Sequence, residues 1–174
     1  MIRGERIYLR PVRRADLLLL QARENDFEYN SEYNSFGLKP EEHLATAFEK
    51  DGFLSSASGR LLVMTLDDEF VGTVSYHTVQ YGPNHGSSVY NIGIELAVDQ
   101  RGKGYGVEAQ KLLAQYLFLI YPIRRVEAST DVENIPEQRA LEKAGFSREG
   151  ILRQAQWRNG QWHDLMVYSK LRGE

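Results

Sequence analysis

Between Tyr90 and Val98 the chain alternates, with Ile92, Ile94, Leu96 and Val98 on one apolar face, the period of a half-buried strand. The segment Val107–Ile120 that follows reads as a helix. Upstream, Arg6–Arg10 reads as a short strand, Asp16–Arg23 as a Leu-rich helix and Pro40–Lys50 as a second helix. Leu61–Leu66 and Phe70–Val79 read as strands joined by a tight turn at Asp67-Asp68, and Tyr81–Gly86 as a loop. Arg124–Thr130 is a further strand. Asn134 stands as a helix N-cap with Glu137 as its capping-box partner, Pro136 in the first turn and Gly145 as the stop. The last two strands form a hairpin about Asn159-Gly160, a strong type I′ turn signal. The order β-α-α-β-β-β-α-β-α-β-β predicts an α/β fold with a mixed, largely antiparallel central sheet flanked by helices. A doubly wound sheet would alternate strand and helix throughout.

The strand at Tyr90–Val98 runs straight into Val-Asp-Gln-Arg-Gly-Lys-Gly-Tyr-Gly, residues 98–106, and a helix opens at once. The first amides of a helix lack intrahelical partners, and the helix dipole places partial positive charge there. Glycines let an anion approach those amides, and Arg101 and Lys103 add mobile positive charge, so the loop is expected to hold a phosphorylated ligand. It is not a P-loop, because no Gly-x-x-x-x-Gly-Lys-Ser/Thr occurs in the chain. A dinucleotide fingerprint would need glycine where Val107 stands, although Glu127 lies about 20 residues on, where a ribose-binding acid would be expected.

Arg101, Gly104 and Gly106 instead fit Arg/Gln-x-x-Gly-x-Gly/Ala, and this resembles the pyrophosphate loop of the GNAT superfamily of acetyl-CoA-dependent N-acetyltransferases. About 30 residues later, Asn134-Ile-Pro-Glu-Gln-Arg-Ala-Leu-Glu-Lys-Ala-Gly-Phe146 resembles the second signature of the same family. The opening Arg6–Asp16 and the ending Gly160–Tyr168 look like its RimJ/RimL-type branch, so the resemblance covers essentially residues 1–174 as one domain. It implies transfer of an acetyl group from acetyl-CoA to a primary amine by direct attack of the neutral amine on the thioester. The acceptor would be a protein N-terminus, a polyamine, an amino sugar or antibiotic, or an amino acid. The other reading is a non-catalytic module that binds acetyl-CoA and reports on it.

On the family pattern, Arg101, Gly102, Lys103, Gly104, Tyr105 and Gly106 hold the pyrophosphate, and the amides near Leu96 and Val98 bond the pantetheine arm and polarise the thioester. Asn134 bonds the pantetheine amide besides capping its helix, and Lys143 could reach a phosphate. Many members carry a tyrosine seven positions after the motif asparagine as general acid, and RimJ/RimL-type members a serine three positions after it. Leu141 and Glu137 stand there instead. Glu95, on the face of its strand opposite the apolar stripe, is the candidate base, with proton loss through waters as the alternative.

The acceptor side is expected in the polar, aromatic stretch Glu24–Phe36, where Glu28 and Glu32 would attract a cationic amine and Tyr29 and Tyr33 stack against it. Tyr168 and Asp164, on the last strand, are further candidates for positioning it. Trp157 and Trp162 flank the hairpin turn and are expected to pack across the strands. The four histidines, His43, His77, His85 and His163, have no metal-ligand spacing, so no metal is expected.

With 174 residues, 42% hydrophobic and 26% charged, the chain is long enough for a sizeable core. The net charge of −3 argues against nonspecific nucleic-acid or membrane binding. Without cysteine, a signal-like apolar run or a membrane span, a cytoplasmic monomer or homodimer is the expectation.

Overall fold

The computed structural model describes residues 1–174, the side chain of His85 excepted. Strands β1 (Ile2–Arg3) and β2 (Ile7–Pro11) precede helices α1 (Leu17–Glu24), α2 (Phe27–Asn30) and α3 (His43–Asp51). Then come β3 (Ser58–Thr65), β4 (Phe70–Gln80), β5 (Ser88–Leu96), α4 (Tyr105–Ile120), β6 (Arg125–Asp131), α5 (Ile135–Lys143), β7 (Ser147–Arg158) and β8 (Gln161–Leu171). The eight strands form one sheet in the order β1-β2-β3-β4-β5-β6-β8-β7. Among the described residues β5 and β6 run parallel, and every other pairing is antiparallel.

The predicted architecture is therefore the observed one, with two additions. β1 is two residues long and α2 a single turn, too short for either period to register in sequence. α2 forms because Asp26 caps it, its carboxylate accepting from the amides of Glu28 and Tyr29.

The strand at Tyr90–Val98 needs correction. β5 begins at Ser88 and ends at Leu96, and Val98 opens a 3-10 turn in which the amide of Gln100 donates to Ala97 O at 2.9 Å. Val98 is 57% exposed and does not share the face of Ile92. The apolar alternation outruns the sheet because the chain turns away from β4 into the 3-10 turn after Ala97.

Each face of the sheet has its own core. Ile7, Leu9, Leu61, Val63, Val74 and Ile92 pack beneath α4 and α5, where Leu113, Leu117 and Leu141 are fully enclosed. Each such leucine contributes about 1.5–3 kcal/mol. On the opposite face Tyr8, Leu62 and Met64 meet Leu17 and Leu20 of α1 and Leu44 of α3. The second core stops short of β5, and an open space remains there under α1 and α2.

The terminal hairpin has the expected turn, with φ of +51° at Asn159 and +79° at Gly160. Trp157 and Trp162 face each other across it, ring centroids 5.3 Å apart. Gly160→Val, which places a branched side chain at positive φ, should lower the unfolding free energy by about 1–2 kcal/mol. Chemical denaturation of the two proteins would measure it.

Candidate active site

The glycine-rich loop is shaped by backbone that side chains disfavour. Gly102 and Gly104 have φ of +73° and +82°, and Gly104 is the N-cap of α4. The first helical hydrogen bond runs from the amide of Glu108 to Gly104 O at 3.3 Å, so the amides of Tyr105, Gly106 and Val107 have no intrahelical acceptor. Arg6 straps the loop from β2's side: its guanidinium donates to Lys103 O at 2.8 Å and Gly104 O at 3.3 Å. Its Nε donates to Glu108 Oε2 at 3.1 Å, while Glu108 Oε1 accepts the amides of Glu5 (2.6 Å) and Arg6 (3.0 Å). Burial would raise the Glu108 carboxyl, but the Arg6 and Glu5 amides and the Arg6 guanidinium hold it below the ordinary range. Sequence reasoning assigned Arg6 no role in the site, because a contact across 98 residues leaves no local pattern.

Beside the loop the sheet opens. The amide of Ala97 donates to Val71 O, and the β4–β5 register runs unbroken from Gly72↔Leu96 to Gln80↔Ser88. Odd-numbered residues of β5 thus spend their amides on β4. Ile94 and Leu96 aim theirs at the other edge, where β6 is in register only with Tyr90 and Asn91. Beyond that point the two strands part.

Arg101 closes the end of this gap. Its Nε donates to Leu96 O at 3.0 Å and its Nη2 to Tyr29 O at 2.8 Å. Lys103 Nζ donates to Gln100 Oε1 at 3.1 Å, and the Tyr105 ring lies under the Arg6 guanidinium, 5.6 Å from its carbon. Asn134 caps α5, its Oδ1 accepting from the Glu137 amide at 3.4 Å and its Nδ2 donating to Thr130 Oγ1 at 3.1 Å. Lys143 is exposed in the last turn of α5, about 13 Å along the helix from Asn134.

The space on the other face of β5 is a cavity of about 290 Å³. Its sheet side carries Arg60, Thr73, Ser75, Gly93 and Glu95, and α1 and α2 with the following segment supply Arg23, Glu24, Tyr29, Phe36 and Lys39. Burial raises the Glu95 carboxyl above the usual carboxylate range, opposed by Arg60, Lys39 and Arg101. Burial, then the Glu95 charge, pushes the Tyr29 hydroxyl up to about 12.

Of the expected acceptor residues only Tyr29 lines this cavity. Glu28 and Glu32 are exposed and stand outside the lining. Tyr33 packs against the Arg158 guanidinium at 5.8 Å and donates to Glu133 O at 3.4 Å. Tyr168 is corrected: it is 0% exposed in the core beneath α5, its hydroxyl on Glu142 Oε1 at 3.2 Å. The alternation of β8 turns it into the core, outside the lining of the cavity. Asp164 accepts the amide of Gln154 inside the β7–β8 pair. Glu127 is equally spent, 4% exposed and accepting from Tyr81 Oη (3.0 Å) and Arg125 Nε (3.1 Å), so it is not free to bind a ribose.

The description of the acetyltransferase (GNAT) domain matches residues 6–147 of this chain. The chain belongs to the GNAT acetyltransferase family. It is an N-acetyltransferase. It is 30% identical to a probable N-acetyltransferase, YjcK, of Bacillus subtilis (strain 168), over 98% of this chain and 97% of that one. A crystal structure of a GNAT-family acetyltransferase from Bacillus anthracis superposes with a TM-score of 0.81 at 25% identity, covering 99% of both chains. The spermidine N-acetyltransferase of Vibrio cholerae, solved with CoA and spermine, has the same fold, with a TM-score of 0.82, 22% identity and 95% of each chain covered.

One GNAT motif position departs from its expected role. Glu137 does not complete a capping box, because the Asn134 amide already donates to Asp131 O at 3.0 Å and offers its carboxylate nothing. The Glu137 carboxyl instead turns toward Gln110, which is 2% exposed and donates to Gly106 O at 3.2 Å. Burial pushes it up to about 8, with Gln110 opposing. Between pH 4.5, where the unfolded carboxyl ionises, and pH 8 the fold keeps a proton that the unfolded chain releases. Stability contributed by this group is therefore full below pH 4.5 and is lost as the pH rises toward 8. Glu137→Gln should leave stability near pH 4 unchanged and raise it by about 1–3 kcal/mol at pH 8 relative to the parent. Thermal denaturation of both proteins at the two pH values would read the difference.

Proposed function

We propose that this GNAT enzyme moves an acetyl group from acetyl-CoA to a primary amine seated in the cavity under α1 and α2. The observation that carries the reading is the adjacency of Glu95 and Leu96. Strand alternation gives the carboxylate of one to the cavity and the amide of the next to the gap between β5 and β6. An amine and a thioester brought to those two sides would meet across a single strand.

The donor's pyrophosphate fits the glycine loop, where the amides of Tyr105 to Val107 have no helical acceptor and no Cβ stands at Gly102, Gly104 or Gly106. Acetyl-CoA supplies an activated acyl carbon on a thiol leaving group. The amides of Leu96 and Val98 hold its arm and receive the developing oxyanion charge, and Asn134 holds the amide farther along. Arg101 and Lys103 shape the loop through Leu96 O and Gln100 while adding positive charge near the phosphates. Lys143 reaches that charge only as a distant surface cation.

Glu95 takes the proton that an ammonium must lose before its nitrogen lone pair can attack. The new C–N bond forms as the C–S bond breaks, and the second proton that the nitrogen then sheds neutralises the departing thiolate. A carboxyl raised by burial is a better match for this task than an exposed one. Tyr29 walls the acceptor, while Glu28, Glu32 and Tyr33 stand at the periphery of the α2 region.

Gly104→Glu should abolish micromolar acetyl-CoA binding in isothermal titration, because a side chain there meets the Arg6 guanidinium at 3.1 Å and forces a residue at positive φ. Retained binding would remove the loop from the donor site. Glu95→Gln should lower kcat/KM about 10²–10³-fold in a thiol-release assay and erase the acid limb of its pH profile. An unchanged profile would assign the proton to water.

A further inference from the structure

The charges around the cavity are unevenly spent. Glu24, whose side chain is 7% exposed, is occupied by Lys39 at 3.5 Å and His43 at 2.8 Å. The Arg60 guanidinium makes no ion pair or hydrogen bond among the described residues and rests against the Phe53 ring at 5.7 Å. Arg23 donates only to Leu19 O, at 3.3 Å, and is held between the rings of Phe70 (4.7 Å) and Tyr29 (5.3 Å). Aromatic faces fix both guanidinium groups without neutralising them. Two arginines without a carboxylate partner thus share a small cavity with Glu95.

The sheet register separates these charges in a useful way. Arg60 on β3 lies opposite Ser75, which lies opposite Gly93, and the next row runs Leu62, Thr73, Glu95. Arg60 and Glu95 therefore stand at two ends of a floor about 10 Å wide, two strand spacings. Between them are only Ser75, Thr73 and a glycine, so the floor is low in the middle. The volume of about 290 Å³ is that of roughly ten waters, the room of a small molecule. A polyamine would bring further ammonium groups toward Arg23 and Arg60. A small molecule with an amine at one end and an anion at the other would satisfy both.

Given acetyl transfer over Glu95, on which this inference rests, we infer that the acceptor is a small amine that also carries an anionic group, its amine at Glu95 and its anion on Arg60 and Arg23. Carboxylate and phosphate share the chemistry that guanidinium recognises. The test compares each anionic amine with its neutral counterpart in a thiol-release assay: amino acids against their amides, and O-phosphoethanolamine against ethanolamine, with spermidine alongside.

At least one anionic amine should exceed its counterpart in kcat/KM by about tenfold or more, and the pair that does so identifies the anion. Arg60→Gln should collapse that ratio toward one, and Arg60→Lys, which keeps the charge, should preserve part of it. Acetyl-CoA binding by both variants would certify their folding. Neutral counterparts turned over as well as the anionic amines, a clear preference for spermidine, or a ratio unaffected in Arg60→Gln would overturn the inference and leave acetyl transfer standing. No turnover of any amine by a protein that binds acetyl-CoA would overturn acetyl transfer at this cavity itself.

Discussion

β5 leaves β6 after two registered pairs, and the parting exposes unpaired main chain in the middle of an otherwise complete sheet. The amides of Ile94 and Leu96 face that opening, while two cores, one on each face of the sheet, keep the rest of it packed. The helix that would cover a closed sheet here begins instead with its own unpartnered amides at Tyr105 to Val107. Strand edge and helix terminus together make a continuous line of donors, which is what a long ligand with carbonyls at one end and phosphates at the other requires.

Such a line must be held open, and remote parts of the chain hold it. Arg6, from the start of the chain, fixes the carbonyls of Lys103 and Gly104, and Glu108 ties that arginine and two amides to α4. Gly4 makes the approach possible, since a Cβ there would lie 2.3 Å from Glu108 Oε1 and 2.9 Å from Leu112. The glycine loop is thus held in its conformation by contacts outside it. In the cavity on the other face of β5 the restraint is electrostatic: Glu24 is occupied by Lys39 and His43, which leaves Glu95 as the carboxylate sharing the space with Arg23 and Arg60.

What could be read in the sequence followed from how local each cause is. The two helices that open on a loop or a cap, α4 and α5, and the Asn159-Gly160 turn have their causes within a few residues, so periodicity and capping chemistry reveal them. The order of elements, and with it the mixed sheet flanked by helices, follows from where helices interrupt strands; the placing of β8 between β6 and β7 has no such local cause. The end of β5 was misplaced because apolar alternation persists to Val98 whether or not a neighbouring strand is present. Glu137 satisfies a capping-box spacing, yet Asp131 takes the amide first. Tyr168 lies on a strand whose facing only the three-dimensional packing decides. The cavity walls are the least legible part, because Arg23, Arg60 and Glu95 are brought together from α1, β3 and β5 and no spacing in the chain encodes that meeting.

Arg101 ties the two halves of the site through main-chain oxygens, Leu96 O on one side and Tyr29 O on the other. A carbonyl is present whatever side chain sits on its residue. Position 29 can therefore change its side chain through mutation while the strap that seats α2 over β5 endures. On the proposed reading, the wall of the acceptor cavity can change its side chains while the tie to the glycine loop is kept, since that tie runs through a carbonyl.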